Sequence, residues 1–173
     1  MQPPLSAYAS RRLTRGWSLP ELLTVLGLVA LGMQIALPSW QSWQNRLQTR
    51  AVRDQLMMDL QTARLQARQS ARALILQATR DCAWHSQAAN DWSCGWQLID
   101  VQTQRTLATT PLSHPLQVSF TKSQALEINE RGDLGQVGDR WTVQARTPTN
   151  ASAQTICLSS AGRLRAVEGS SCS

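Results

Sequence analysis

The 173-residue sequence contains no Cys-x-x-Cys pair, and its two histidines, His85 and His114, stand at no metal-ligand spacing, which argues against a zinc site. No nucleophile–base pair, carboxylate pair or phosphate-binding loop is present, so the sequence reads as that of a non-enzyme without a cofactor. Lysine is almost missing: Lys122 is the only one of the 17 basic residues that is not arginine. Arginine presents a planar fork of donors that fits phosphate and carboxylate, although genomic bias also raises arginine usage. Glycine and proline are absent from 40–72, and charge is absent from 22–37. The first absence predicts an unbroken helix and the second an apolar one.

Extending the apolar run back to Trp17 gives 21 residues interrupted only by Glu21. At ~1.5 Å per residue this is about 31 Å, close to the ~30 Å hydrocarbon core of a bilayer. Residues 17–40 are therefore expected to form a membrane-spanning helix, with Trp40 and Trp43 where aromatic residues anchor at the interface. A carboxylate in such a helix costs free energy and calls for a reason. In one reading Ser18 caps the helix and Glu21 reaches back to a free backbone N–H, with Pro20 tolerated in the first turn. In the other, Glu21 meets a positive charge from another chain, and the natural candidate is an α-amino group freed by cutting after Gly16. The two can coexist. Arg11, Arg12 and Arg15 before the run also suit an ordinary secretory signal, but Ile35-Ala36-Leu37-Pro38 is a poor cleavage site for one.

Gly16, the aromatic residue after it, Glu21 as the fifth residue beyond the cut, the apolar run and Pro38 together resemble the class III leader of type IV pilins and pseudopilins. The resemblance implies that residues 1–16 are a leader, that a prepilin peptidase cuts after Gly16 and methylates the new N-terminus at Trp17, and that Glu21 serves filament assembly. Trp17 stands where phenylalanine is usual, and Pro20 precedes the glutamate.

Without the leader the chain keeps 157 residues, and its formal charge falls from +6 to +3 as Arg11, Arg12 and Arg15 leave. Overall basicity is then a weak argument for a polyanionic partner. With about 40 residues in the membrane helix and its extension, the remainder suits one compact domain. Four cysteines, Cys82, Cys94, Cys157 and Cys172, in an exported domain predict two disulfides, for which three connectivities exist. Cys82–Cys94 and Cys157–Cys172 are favoured because each closes a short polar loop. Each would stabilise by roughly 3 kcal/mol on a loop-entropy treatment.

Beyond the membrane the helix is expected to continue over 41–72, with Pro38 kinking it and freeing the Gln34 carbonyl. Val52, Leu56, Leu60, Ala63, Ala67, Ala71 and Leu74 recur three and four apart, giving a narrow, alanine-rich face that would press closely on a sheet. A second stripe, Arg46, Arg50, Arg53, Arg64, Arg68 and Arg72, reads either as a solvated face or as part of an electropositive surface. Residues 73–173 read as β-rich. Strands are expected from Leu74 and over 95–101, 116–121, 125–129, 141–146, 155–159 and 163–167, with a polar loop at 82–94. Turn signals lie at Pro111, His114-Pro115, Glu130-Arg131-Gly132-Asp133, Pro148-Thr149-Asn150 and Ser160-Ala161-Gly162. Trp84, Trp92, Trp96 and Trp141 read as core or loop packing. A long helix followed by short antiparallel strands is an α+β plan with the helix covering a sheet face.

The second informative stretch is Ser159-Ser160-Ala161-Gly162-Arg163-Leu164-Arg165. Gly162 can supply the positive φ of a tight hairpin, after which Arg163 and Arg165 share one face of the returning strand and Leu164 faces the core. Two residues of strand advance about 6.8 Å, so two guanidinium groups could reach successive phosphates. Spacing alone is equally met by a hairpin with two solvated arginines.

The mature chain as a whole resembles the GspH/FimT type of minor pilin and pseudopilin. The likeness is carried by Ala63-Arg64, by the cysteine-bounded loop before Gly95-Trp96, by Glu127-Ile128 leading to Gly132, and by Gly162-Arg163-Leu164-Arg165. It implies a long N-terminal helix packed on antiparallel sheet. The last motif resembles one that FimT-type minor pilins use to bind DNA in natural transformation, with Gly162 shaping the turn and Arg163 and Arg165 contacting phosphate. The expected function is a minor type IV pilin that is incorporated into or caps a pilus and binds DNA non-specifically. The alternative is a structural minor pseudopilin of a type II secretion system. The implied partners are DNA, other pilins, the prepilin peptidase and, before assembly, the inner membrane. The implied location is a single-pass inner-membrane protein with a periplasmic C-terminal domain, and then the pilus at the cell surface.

Overall fold

The computed structural model describes residues 18–121, 125–135, 138–146 and 153–172, without the side chains of 34–38. Gly16, Trp17, Lys122 and the turn expected at Pro148-Thr149-Asn150 lie outside the described residues. The architecture is α+β. Helix α1 (Leu19–Ser70) is followed by strands β1 (Leu74–Ala78), β2 (Gly95–Asp100), β3 (Thr106–Pro111), β4 (Leu116–Phe120), β5 (Ala125–Ile128), β6 (Arg140–Ala145), β7 (Gln154–Leu158) and β8 (Leu164–Glu168).

Two compact units are distinguished, Met1–Ser39 and Trp40–Ser173. In the first, Leu19, Leu22, Leu26 and Val29 are all exposed. Among the described residues no helix is long and apolar enough to cross a membrane; the expected span also takes in Trp17 and the side chains of 34–38, outside those residues. The expected capping box does not form. The Leu22 N–H bonds the Ser18 carbonyl at 3.1 Å and the Thr24 hydroxyl bonds the Glu21 carbonyl at 2.8 Å, while among the described residues the Ser18 hydroxyl and Glu21 carboxylate have no partner.

In the second unit the apolar stripe of α1 is the inner face: Val52, Leu56, Leu60, Ala63 and Ala67 are buried. Ala71 leaves the stripe because it ends the helix. Its φ of 49° is left-handed, and the Arg72 N–H returns to the Ala67 carbonyl at 3.2 Å.

The strands form two antiparallel four-stranded sheets, ordered β3-β2-β1-β5 and β4-β6-β7-β8. The sequence did not announce β3. It is a mostly exposed edge strand, Thr-Leu-Ala-Thr-Thr-Pro, without apolar alternation, and its register shifts between Leu98 and Ile99 of β2. On an edge, the missing N–H of Pro111 is tolerated. Leu76, Leu98 and Leu126 of the first sheet and Val118, Val143 and Ile156 of the second join the α1 stripe in one core. Trp92 enters from the loop after β1 to complete an aromatic cluster. Phe120 and Trp141 stack with centroids 4.1 Å apart, and Trp92 meets them edge-on at 5.7 and 5.9 Å.

Both disulfides have the favoured pairing, Cys82–Cys94 and Cys157–Cys172. Inside the first loop Asp91 accepts the Ser86 N–H at 2.7 Å, the Ser93 N–H at 3.0 Å and the Ser93 hydroxyl. Burial alone would raise the Asp91 pKa, but these hydrogen bonds to its charged form outweigh burial and hold it below the ordinary carboxylate range. The Trp84 indole N–H donates to the Ser93 carbonyl at 2.9 Å, and Arg146 donates to the Trp84 carbonyl. The loop is thus closed by polar contacts as well as by sulfur.

Candidate functional site

Four arginines of the α1 stripe, Arg46, Arg50, Arg68 and Arg72, are exposed, as a solvated face requires, while Arg53 and Arg64 are partly buried; from Arg50 onward the stripe is also engaged by protein acceptors. Arg50 pairs with Glu168 at 2.6 Å, Arg53 donates to Gln154 at 2.5 Å, and Arg72 pairs with Asp100 at 3.1 Å. Asp100 is held below its ordinary pKa first by the Thr103 N–H, against desolvation, and further by Arg72 and the Gln102 N–H. Arg68 donates to the Arg131 carbonyl at 2.7 Å. Arg64 makes two such bonds, to the carbonyls of Gly132 at 2.8 Å and Gly162 at 2.9 Å. These guanidinium groups are occupied in docking the helix. Asp59 does the same with opposite charge, accepting from the Trp96 indole at 2.8 Å and the Thr110 hydroxyl at 2.9 Å.

The two turns that Arg64 reaches are built alike. In the β7–β8 hairpin the Gly162 N–H bonds the Ser159 carbonyl and the Ser159 N–H bonds the Arg163 carbonyl, both at 2.9 Å. In the turn after β5 the Gly132 N–H bonds the Asn129 carbonyl at 2.8 Å and the Asn129 N–H bonds the Asp133 carbonyl at 3.0 Å. Each is a three-residue loop whose last residue is a left-handed glycine, with φ 70° at Gly162 and 74° at Gly132. That conformation turns the glycine carbonyl toward Arg64 in both. The Ser159 hydroxyl adds a bond from the Arg163 N–H at 3.1 Å, which fixes the start of the returning chain.

Gly162, Arg163 and Arg165 therefore meet at one hairpin. Arg163 and Arg165 are exposed, and Leu164 between them is partly buried and packs against the core. Among the described residues the Arg163 guanidinium has no partner, and Arg165 has a single long contact, to the Cys172 carbonyl at 3.4 Å. The two arginines line a cleft of about 550 Å³ with Cys157, Ser159, Leu164 and Cys172. The Cys157–Cys172 disulfide forms part of its wall, a role that loop length could not indicate. Arg163 itself precedes β8, which begins at Leu164.

The covered state of β7 follows from the chain end. All five β7 residues are buried, although a strand of a sheet with one face to the core normally alternates. The Thr155 hydroxyl donates to the Gly169 carbonyl at 2.5 Å and Cys157 is bonded to Cys172, so the C-terminal tail lies over the outer side of this strand. Glu21, the other residue singled out in the sequence, is exposed in the first turn of α1.

No family model matches the sequence, and no curated protein matches it. Solved structures do. Two crystal structures of the type IV minor pilin FimU of Pseudomonas aeruginosa superpose with TM-scores of 0.52 and 0.55, at 22% and 21% identity. They cover 72% and 76% of this chain and, in each case, 99% of that chain. The minor pseudopilin EpsH from the type 2 secretion system of Vibrio cholerae superposes with a TM-score of 0.53 at 11% identity, covering 70% of this chain and 97% of that one. The helix docked on two antiparallel sheets is therefore the type IV pilin-like fold of minor pilins and minor pseudopilins.

Proposed function

We propose that the chain is a minor type IV pilin that joins or caps a pilus and binds DNA through phosphates, without sequence preference, for uptake in natural transformation. The observation that carries the DNA reading is selective: the α1 arginines from Arg50 to Arg72 are taken up by protein acceptors, whereas the Arg163 guanidinium has no partner among the described residues and stands with Arg165 at an open cleft. The FimU structures, being those of a type IV minor pilin, support the filament role. In this reading a prepilin peptidase cuts after Gly16 and methylates Trp17, residues 17–40 hold the protein in the inner membrane with the remainder in the periplasm, and Glu21 pairs with the α-amino group of a neighbouring pilin. Sequencing the N-terminus of the mature protein is expected to find Trp17 first; a start beyond Ala36 would sink the leader.

The test of DNA binding is a mobility shift with the double variant Arg163→Gln, Arg165→Gln. Two charge-assisted phosphate contacts at ~1.5 kcal/mol each correspond to a loss of roughly 100-fold in affinity. The salt slope is expected to drop by about 1.8. Unchanged binding in a folded double variant refutes the reading. The EpsH likeness favours a second reading, a structural pseudopilin of a type II secretion system, under which DNA binding is absent and loss of the protein impairs export.

A further inference from the structure

The outer face of the second sheet carries another arginine. Register sets Arg140 of β6 beside Cys157 of β7, and Cys157 beside Arg165 of β8. Directly paired residues project to the same face, so these three form one row across the sheet. With strands about 4.8 Å apart, the Cα atoms of Arg140 and Arg165 are roughly 10 Å from each other. Arg163, two residues before Arg165, lies toward the same side. The alternate residues Trp141, Ile156 and Leu158 are buried on the other face, while Arg140 is exposed. Among the described residues its guanidinium has no partner.

The chemistry of that face suits an anion. Its other strand residues in register are Thr142, Thr155 and Val167, with Ser119, Gln117 and Gln144 beside them and none of these acidic; the carboxylate that extends the row, Asp91 bridged to Ser119, is buried and taken up by Ser86 and Ser93. The one acid of β8, Glu168, is paired with Arg50 of the helix on the inner side. The tail that covers β7 lies between the two arginines, held by the Thr155–Gly169 bond and the Cys157–Cys172 disulfide. Arg140 and Arg165 thus flank a neutral, covered strand.

We propose that Arg140 is a third phosphate-contacting residue, so that a nucleic-acid backbone passes from Arg163 and Arg165 over the covered β7 strand to Arg140. This rests on the DNA-binding reading above. The test uses the full-length chain in non-ionic detergent and a fluorescent duplex of mixed sequence, with binding followed against salt for wild type, Arg140→Gln, Arg140→Lys and the Arg163→Gln, Arg165→Gln double variant. Arg140→Gln is expected to weaken binding about 10-fold near 0.1 M salt and to lower the salt slope by about 0.9, while Arg140→Lys keeps the slope. Wild-type affinity and slope in Arg140→Gln, with binding lost in the double variant, overturns the inference and leaves the DNA reading standing. Wild-type binding in the double variant overturns both. A second measurement needs no variant: bound DNA is expected to shield Arg140 of the wild-type chain from phenylglyoxal, read by mass spectrometry. Equal modification with and without DNA overturns the role of Arg140.

Discussion

Replacing Trp141 by alanine is expected to lower the stability of the folded unit by about 4 kcal/mol, the range for deleting a fully buried large aromatic side chain. Trp141 is completely buried, stacks on Phe120 at 4.1 Å and meets Trp92 edge-on at 5.9 Å, so the deletion opens a void that both neighbours line. Little can collapse into it, because Phe120 is held in β4 and Trp92 is anchored by its N–H to the Val118 carbonyl at 2.8 Å. Against a typical total of ~5–15 kcal/mol this is a large fraction. Phenylalanine is a milder change. The Trp141 indole N–H is buried without a hydrogen-bond partner among the described residues, so removing it relieves a polar burial cost and partly offsets the lost volume. Trp141→Phe is expected to cost less than about 1.5 kcal/mol. Urea unfolding checks both, and equal midpoints for the alanine and phenylalanine variants would refute the packing account.

Arg64→Ala is expected to cost about 3 kcal/mol and to weaken DNA binding without removing a phosphate contact. The side chain supplies charge-assisted bonds to two carbonyls, Gly132 and Gly162, and each is worth ~1.5–3 kcal/mol before any solvent replaces it. Arg64→Lys offers a point charge in place of a fork and should recover only part of the stability. In DNA binding the distinction from Arg163 is the salt slope. Losing a contact residue lowers the slope, whereas loosening the hairpin lowers affinity with the slope little changed. A drop in slope for Arg64→Ala as large as that for Arg163→Gln would mean that Arg64 touches DNA directly.

The parts of this fold that could be read from the sequence are those whose partners are solvent and core in bulk. The α1 stripe from Val52 to Ala67 and strands such as β1, which alternates buried and half-buried residues, announce themselves because burial imposes a period. Strand β3 does not, since an exposed edge has no core face to pattern. The docking contacts of the α1 arginines are silent in sequence for a related reason. A guanidinium that docks a helix looks the same in sequence as one that meets water, and the acceptors of Arg64 lie 68 and 98 residues away. The hairpin at Gly162 was legible because turn chemistry is local. Arg140 was not, as only the β6–β7–β8 register places it across β7 from Arg165.

The shared grip of Arg64 also has a dynamic meaning. One turn closes off β5 in the first sheet and the other joins β7 to β8 in the second, and Arg64 is bonded to both, with Arg68 as a second support of the first. Opening either turn leaves Arg64 with one acceptor, so the two tips are expected to open together more often than independent turns would. Hydrogen exchange checks this: Arg64→Ala is expected to lower protection at Gly132 and Gly162 together.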